Sequence, residues 1–369
     1  MSIMSKTAGF MGLRALRDLV SDSIAIDMGS AFTMIWVRGR GVVVDEPSIV
    51  AVNAITGKIV AFGEEAKQKY GRETRDVIVI SPLVEGVVGD FERSKEMLSY
   101  FVRKARSDFS HFSRRAAMSV LSGITQVEQR ALLNVAEYAR IGRVWMIEGG
   151  LAAALGAGVK IDDPHASALV DIGAAATNVA IISSGSIIHS RAERRGSSAI
   201  NAAIINHIRR HRGLTIGALT AERLKLGLAS ATIPSDLAKT MTVKGREVQA
   251  GGPGAIEITA GEIYPVVQYV VGKMLAVVSE TLTELSPEVA ADIYERGIIL
   301  TGGGAQLSGL ENYLRDCTNL PVKTSDEPKY AALRGLAQII EEPLTLRRLR
   351  RTDSQVLVGT ETGAFGAGT

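Results

Sequence analysis

Two aspartates occupy equivalent points in two similar stretches of the chain. Asp27 follows the apolar run Ser23-Ile-Ala-Ile26 and opens Asp27-Met-Gly-Ser-Ala-Phe-Thr33, after which residues 34–37 are apolar again. Asp171 stands likewise in Ala168-Leu-Val-Asp-Ile-Gly-Ala-Ala-Ala-Thr-Asn-Val-Ala-Ile-Ile182. Strand, Asp-x-Gly turn and strand make a hairpin whose turn amides can face phosphate oxygens. The carboxylate at the strand end is placed to hold hydrated Mg²⁺, an ion that keeps several waters and takes few protein ligands. Asp27 and Asp171 could therefore bracket one metal–phosphate group. A single Asp-x-Gly says little, because both residues are ordinary in turns. Its repetition carries the weight, together with Thr301-Gly-Gly-Gly-Ala305 behind the apolar residues 298–300. A helix is predicted over about residues 307–316, and glycines between strand and helix let backbone N–H groups and the helix N-terminus face a phosphate or other polar ligand.

Competing chemistries fail on inspection. A phosphate-binding loop ending in Gly272-Lys273 would need glycine at 267, where Val267 stands. The triple glycine has no later glycine at dinucleotide-binding spacing. His207 and His211 are four residues apart, but Ile-Arg-Arg separates them, without the glutamate of a zinc protease.

The elements that must position these turns follow from apolar spacing. Residues 42–44 and 49–52 read as strands separated by Glu46-Pro47, and residues 92–106 as a helix with Met97, Leu98, Phe101 and Val102 on one side. Residues 118–121 form a strand. A helix over 125–139 follows, with Thr125 as N-cap and Glu128 three residues on, a capping box. A strand over 144–147 leads into a small-residue helix over 151–156. The return of the opening pattern at 168–182 marks an internal duplication, which implies two similar α/β domains facing each other across a cleft.

Composition bounds the rest. The chain has 369 residues, 46% of them apolar, enough for a sizeable core. At one domain per roughly 100–200 residues that means two or three packed units. With 42 Lys+Arg against 39 Asp+Glu the net charge is only +3, which excludes a disordered charged tail protein and a diffusely basic nucleic-acid binder. The single cysteine, Cys317, excludes a disulfide framework and suits a reducing cytoplasm. No apolar stretch, residues 263–278 included, is predicted to be long and uninterrupted enough to span a bilayer, and the N-terminus lacks the cleavage site of a secretory signal.

That N-terminus has another pattern. On a helical wheel Leu13, Leu16, Leu19 and Val20 fall within one arc of about 120°, with Arg14, Arg17 and Asp18 opposite and Phe10 and Met11 off the stripe. An amphipathic helix of this kind can lie in a bilayer interface, or it can dock on the protein's own core. Phe109 and Phe112 sit in a polar loop between Arg103, Lys104 and Arg106 on one side and Arg114-Arg115 on the other. Aromatics at the apolar boundary, with cations reaching anionic headgroups, are the interfacial arrangement. Phe10, Leu13, Leu16, Val20, Phe109 and Phe112 are thus the candidate membrane contacts. Leu344-Thr-Leu-Arg-Arg-Leu-Arg-Arg351 is a further basic segment, followed by a polar, glycine-rich tail.

Taken together, the motifs resemble the bacterial actin-like cytoskeletal proteins of the MreB family, within the actin/Hsp70/sugar-kinase superfamily. The resemblance runs from about residue 23 to about 338. Besides the turns already described, it is carried by Asp45-Glu-Pro-Ser48, Gly63-Glu-Glu-Ala-Lys67, Pro82-Leu-x-x-Gly-Val87, Ser122-Gly-Ile-Thr-x-Val-Glu128, Ala152-Ala-Ala-x-Gly-Ala-Gly158, Thr220-Ala-Glu-Arg-Leu-Lys225 and Glu295-Arg-Gly-Ile-Ile-Leu-Thr-Gly-Gly-Gly304. It implies an actin-like fold of two duplicated βββαβαβα-type domains, four subdomains in all, around a nucleotide cleft. The expected division is 22–150 for domain I, with 43–76 as its small subdomain, and 151–325 for domain II, with 191–257 as its small subdomain. Residues 326–345 return to domain I, between an N-terminal segment over 1–21 and a tail over 346–369.

The resemblance also implies ATP or ADP with Mg²⁺ in the cleft. Gly29, Ser30, Ala31 and Phe32 match the first phosphate loop, and Gly173 and Thr177 the second. Glu222 and Lys225 match the nucleoside contacts, and Gly302, Gly303, Gly304 and Ala305 the adenosine loop. Asp27 and Asp171 would hold the metal through water. Paired filaments at the inner face of the cytoplasmic membrane are implied as well. The partners would be further copies of itself or another MreB-type protein, the anionic inner-membrane surface and morphogenetic membrane proteins, with no nucleic acid.

Departures from the family pattern fall in the cleft. Asp-Ile-Gly-Gly-Gly-Thr-Thr-Glu is here Asp171-Ile-Gly-Ala-Ala-Ala-Thr-Asn178, and alanine is penalised wherever φ must be positive. Ile-Glu-Glu-Pro is Ile147-Glu-Gly-Gly150, so Gly149 stands where actin-like ATPases carry the residue that orients the attacking water; Glu148 is the alternative for that role. Acidic Gly-Asp-Glu-Met-Asp is Gly196-Ser-Ser-Ala-Ile200, and Phe32 replaces a polar Asn. Losing one positioning group costs phosphoryl transfer on the order of 10²-fold or more. The expectation is a divergent, membrane-associated, cell-shape filament protein that binds ATP and hydrolyses it weakly or not at all. The alternatives are a non-polymerising regulator of an ordinary MreB-type filament and a filament that positions an organelle or DNA. A sugar kinase or chaperone ATPase of the same superfold is disfavoured by the family-specific strings.

Overall fold

The computed structural model describes residues 23–72, 75–105, 115–342 and 356–358. Phe10, Leu13, Leu16, Val20, Phe109, Phe112 and the basic run over 344–351 lie outside the described residues.

The first half opens with β1 (Ser23–Met28), β2 (Phe32–Val37) and β3 (Gly41–Pro47), an antiparallel meander. β3 runs through Glu46-Pro47 instead of breaking before them. Proline is tolerated there because it closes an edge strand, opposite Phe32. A small sheet of β4 (Val50–Asn53), β5 (Ile59–Phe62) and β6 (Val77–Ile80) follows, with α1 (Gly63–Lys69) between its last two strands. After the short hairpin β7 (Leu83–Val84) and β8 (Val87–Val88) comes α2 (Phe91–Ala105), which buries Met97, Leu98, Phe101 and Val102 completely. β9 (Arg115–Val120) adds to β1 in parallel. α3 (Gln126–Tyr138) begins at the expected capping box: the Glu128 N–H donates to Thr125 Oγ1 at 3.3 Å, and the Thr125 N–H to Glu128 Oε2 at 2.8 Å. β10 (Arg143–Glu148) pairs in parallel with β9 and runs directly into α4 (Gly149–Gly156).

The second half repeats this plan. β11 (Ser167–Ile172), β12 (Thr177–Ser183) and β13 (Ser186–Glu193) form the antiparallel meander, followed by α5 (Ser198–His211). β14 (Leu214–Thr215), α6 (Ala218–Leu228), β15 (Thr240–Glu247) and β16 (Pro253–Thr259) build the second small sheet and its flanking helix. α7 (Ala260–Thr283) and α8 (Pro287–Arg296) lead to β17 (Ile298–Thr301), parallel to β11. Then α9 (Leu310–Thr318) leads to β18 (Val322–Thr324), parallel to β17. α10 (Ala331–Glu341) returns to the first domain, and β19 (Val356–Val358) lines the free edge of β10. The first large sheet orders as β3-β2-β1-β9-β10-β19 and the second as β13-β12-β11-β17-β18, so that apart from the added β19 the strands correspond one to one. The duplication seen in two turns thus extends through both sheets.

The central strands are apolar on both faces because both are covered. α2 and α3 cover one side of the first sheet. α4 and α10 lie between the two sheets, where Ala25, Ala117 and Ile147 from one half share a core with Leu169, Ala180 and Ile182 from the other. Among the described residues, α7 is long and apolar enough to cross a membrane, contrary to the expectation for its segment. Its buried Ile263, Val267, Val271, Met274 and Val278 pack into the domain II core, as a core helix of this composition does. The helix expected from residue 307 also starts later. A 3₁₀ turn spans Gly303–Gln306, and α9 begins after Gly309, whose φ of 72° and close approach to Thr232 allow no side chain.

Candidate functional site

Asp27 and Asp171 face a cavity of about 750 Å³ between the two domains. Each is the next-to-last residue of the first strand of its meander, and each turn closes in the same way. The Gly29 N–H donates to the Phe32 carbonyl at 3.0 Å, and the Gly173 N–H to the Ala176 carbonyl at 2.9 Å. Each carboxylate also accepts a hydroxyl from the neighbouring parallel strand: Ser119 Oγ to Asp27 Oδ1 at 2.6 Å, Thr301 Oγ1 to Asp171 Oδ1 at 3.2 Å. Ser119 carries no motif of its own, but the duplication could have found it. β9 sits beside β1 as β17 sits beside β11, which puts Ser119 where Thr301 is.

Burial pushes both acids up. For Asp27 desolvation outweighs the Ser119 hydrogen bond. For Asp171 desolvation is again the larger cause, the Asp27 charge adds to it, and the result is about 6 against the ordinary 3.8. These two recessed carboxylates, with the Asp27 charge acting on Asp171, are groups that a cation could neutralise.

Most of the residues expected at the site line this one cavity: Gly29, Ser30, Ala31 and Phe32 from the first loop, Gly173 from the second, Glu222 and Lys225 from α6, and Gly302, Gly303 and Gly304. Thr177 and Ala305 do not. Thr177 is fully buried and donates its hydroxyl to the Arg195 carbonyl at 2.8 Å, and Ala305 belongs to the domain II core. The glycines divide by cause. A Cβ on Gly302 would lie 2.4 Å from the Ile172 carbonyl oxygen, and one on Gly304 would lie 2.4 Å from Ile172 Cγ2, so both are required by packing on the end of β11. Nothing lies within 4 Å of a Cβ on Gly303, which leaves its backbone open to the cavity. In the second loop Ala174, Ala175 and Ala176 all keep negative φ, where alanine carries no backbone penalty, while their methyls still stand at the loop that a phosphate would approach.

Gly149 lines the cavity at the first position of α4, and Glu148 does not. The Glu148 carboxylate accepts from Ser122 Oγ at 3.1 Å, and burial raises its pKa. A Cβ on Gly149 would meet only the Val120 carbonyl oxygen, at 3.4 Å, so the position is vacant and not sterically closed.

Three further groups escape a reading by motif. Asn201 Nδ2 donates to Glu222 Oε2, which also accepts from Lys225 Nζ at 2.8 Å. Asn178 stands opposite Asp171 in the hairpin register, and its side chain lowers the Asp171 pKa against the effect of burial. Lys329 Nζ lies 4.0 Å above the Phe32 ring and donates to both Asp45 oxygens, at 2.8 and 2.7 Å. The lysine thus clamps an aromatic ring at the edge of the first phosphate loop, a cation–π contact.

The donor set suits a hydrated magnesium–phosphate group. It consists of hard oxygens, few of them anionic, and no cluster of three or more His, Cys, Asp or Glu exists among the described residues. The Oδ1 atoms of Asn178 and Asn201 are buried without a hydrogen-bond partner, and both residues line the cavity. Unpaired acceptors of this kind are what a bound polar ligand and its waters satisfy.

Comparison with known proteins gives a consistent picture. The family model described as MreB/Mbl protein matches residues 21–348. The chain is 36% identical over 334 residues to the cell shape-determining protein MreB of Escherichia coli (strain K12), covering 89% of this chain and 96% of that protein. It is 35% identical over 305 residues to the cell shape-determining protein Mbl of Bacillus subtilis (strain 168), covering 83% and 91%. Among solved structures, MreB5 of Spiroplasma citri bound to ADP superposes with a TM-score of 0.84 at 31% identity, covering 89% of this chain and 98% of that one. A MamK double helical filament shares the fold, with a TM-score of 0.72 at 18% identity over 87% and 99% of the two chains.

Proposed function

The chain belongs to the MreB/Mbl family of bacterial actin-like cytoskeletal proteins, and we propose that it is a membrane-associated, adenine-nucleotide-binding filament protein of cell shape that hydrolyses ATP weakly or not at all. One observation carries the last point: Gly149 presents no side chain to a cavity whose other walls are furnished for a phosphate group.

Binding follows from the groups that face the cavity. The turn amides of Gly29 to Phe32 and of Gly173 to Ala176 would bind phosphate oxygens. Glu222 and Lys225, held by each other and by Asn201, would meet the nucleoside, with the open Gly303 backbone opposite. Asp27 and Asp171 would hold Mg²⁺ through water, and the ion would neutralise both them and the phosphates. The bound ADP of the Spiroplasma citri relative supports this reading. Hydrolysis needs, in addition, a group that orients and deprotonates water. Gly149 has none, and Glu148 is turned to Ser122.

Membrane attachment rests on the amphipathic stretch with Phe10, Leu13, Leu16 and Val20 and on the Phe109 and Phe112 loop. This reading places the protein in the cytoplasm, peripheral to the inner face of the membrane. Sedimentation with ATP, with ADP and without nucleotide, each with and without anionic liposomes, tests filament formation, and phosphate release tests hydrolysis. Pelleting of the protein alone supports a polymer. Pelleting only alongside an ordinary MreB-type protein supports the second reading, a regulator that joins such filaments, which the vacancy at Gly149 favours. Turnover at the rate of ordinary family members would overturn the weak-ATPase reading.

A further inference from the structure

One side chain of domain II reaches across to domain I beside the cavity. Arg194 follows β13, and its guanidinium pairs with Glu85 Oε2 at 3.0 Å and with Glu128 Oε1 at 3.7 Å. Glu85 occupies the turn between β7 and β8, where it takes a positive φ of 50°, and Glu128 lies in the first turn of α3. Both acids belong to the first half of the chain and the arginine to the second, so this pair spans the domains.

Each end of the bridge is fastened to a phosphate loop. On the domain II side, the segment after Arg194 lies directly on the second loop. The Ser197 N–H donates to the Gly173 carbonyl at 3.0 Å and the Ser198 N–H to the Ala174 carbonyl at 2.9 Å. A Cβ on Gly196 would lie 2.6 Å from both of those carbonyl oxygens. On the domain I side, the N–H of Gly86, next to Glu85, donates to Ser30 Oγ of the first loop at 2.7 Å. Gly173 and Ser30 are therefore linked through two hydrogen bonds, one ion pair and the short chain segments between them. Away from the loops, the domains share the helix pair α4–α10, which cross closely enough that a Cβ on Gly156 would lie 1.8 Å from the Ala331 carbonyl oxygen. A rigid crossing on one side and a breakable charge pair on the other describe a hinge and its clasp.

We propose that Arg194 is a positioning residue that holds the cleft closed by pairing with Glu85 and Glu128, and so sets how long the cleft retains its nucleotide. The retention half rests on the nucleotide-binding reading above; the closure half does not. Arg194 and Glu85 are half exposed, at 57% and 48% of their side-chain surface, so the pair biases the open–closed equilibrium by at most about fivefold at low salt, and less as salt screens it.

The test uses the full chain with Cys317→Ser and spin labels at Ile55→Cys and Val248→Cys, exposed positions in the two small subdomains. Interdomain distances are measured by pulsed electron resonance, and release of a fluorescent ADP analogue by chase with ADP. R194E, which sets three acids together, is expected to lengthen and broaden the distance distribution and to speed release about two- to fivefold. The double swap R194E/E85R is expected to recover most of both, and high salt to shrink the difference. A melting curve of R194E close to wild type excludes unfolding as the cause. If R194E changes neither the distances nor the release rate, or if the swap rescues neither, the clasp is overturned. If the wild type holds no ADP analogue, the nucleotide reading fails, and the distance distributions alone still decide the clasp.

Discussion

Burial and the neighbouring Asp27 favour the neutral form of Asp171, which makes D171N the sharpest test of how the site is built. Its pKa is raised to about 6 in the folded protein, against 3.8 when unfolded. The folded state therefore binds this proton more tightly than the unfolded state, and the group's contribution to stability is present below about pH 4 and is lost as pH rises through 6. The difference corresponds to about 3 kcal/mol at pH 7. Asp171 lines the cavity and is only partly buried, so solvent screening discounts that to about 1–2 kcal/mol. Asparagine removes the charge and keeps an oxygen for the Thr301 hydroxyl. At pH 7.5, stripped of nucleotide and divalent metal, D171N should therefore be more stable than wild type, with a Tm about 2–4 °C higher. The gain should vanish near pH 4, where the wild-type acid is already protonated. Mg²⁺ with ADP should raise the Tm of the wild type and leave that of D171N nearly unmoved, because the substitution removes an anchor for the ion. The assay is thermal or urea unfolding across pH 4–8, with and without ligand. A D171N protein that is less stable than wild type at pH 7.5, or equally displaced at every pH, would refute the argument that Asp171 is strained by its own charge.

Other substitutions separate packing from function. G149E fills an open position at the start of a helix, where a carboxylate is favoured. It should stabilise the protein slightly and raise phosphate release on the order of 10²-fold; unchanged turnover with nucleotide binding intact would show that more than one group is missing. G196A drives a methyl into the second phosphate loop and should cost about 1–3 kcal/mol in urea unfolding, together with a loss of ADP affinity. G303A meets nothing within 4 Å, so its stability should stay within about 0.5 kcal/mol of wild type while ADP affinity falls; equal affinity would show that the ligand does not approach that backbone. L16D breaks the N-terminal apolar stripe and should abolish cosedimentation with anionic liposomes, and unchanged binding would mean that this stripe is not the anchor.

What could be read from the sequence was whatever the chain encodes locally. Asp-x-Gly between two apolar runs specifies a hairpin within a dozen residues, and both hairpins formed. The Thr125–Glu128 box marked the start of α3 because a capping box is complete within four residues. Ser119 has no local signature, since its role depends on a parallel register with a strand 92 residues earlier, and only the duplication, which sets it where Thr301 stands, points to it. The Lys329–Asp45 pair spans 284 positions and leaves no local trace. The late start of α9 is of the same kind. Glycines 302–304 look like a direct lead into a helix, but Gly309 is held in a left-handed turn against Thr232, and only the tertiary contact dictates that. Thr177 was assigned to the cavity because it falls in the loop motif. The strand register turns it inward, opposite Ile172, and leaves Asn178 beside Asp171.

The symmetry of the cleft separates its binding parts from its missing catalytic one. Each half supplies the same assembly: a strand-end aspartate, a hydroxyl from the adjacent parallel strand and a glycine-closed turn. That assembly is costly at neutral pH without a ligand, since it sets two recessed carboxylates within range of each other's charge, and protonation or a cation held between them would relieve the opposition. The group that would orient water belongs to neither copy. It would come from the junction of β10 and α4, where the chain has Gly149 and holds the neighbouring carboxylate against Ser122. On the proposed reading, the features that cost stability without a ligand are thus those that would bind cation and phosphate, and the feature absent at no structural cost is the one that hydrolysis would need. A cleft of this construction is suited to holding a nucleotide between its domains, and the position of the domains, more than the turnover of the ligand, is what an actin-like subunit would then use it to control.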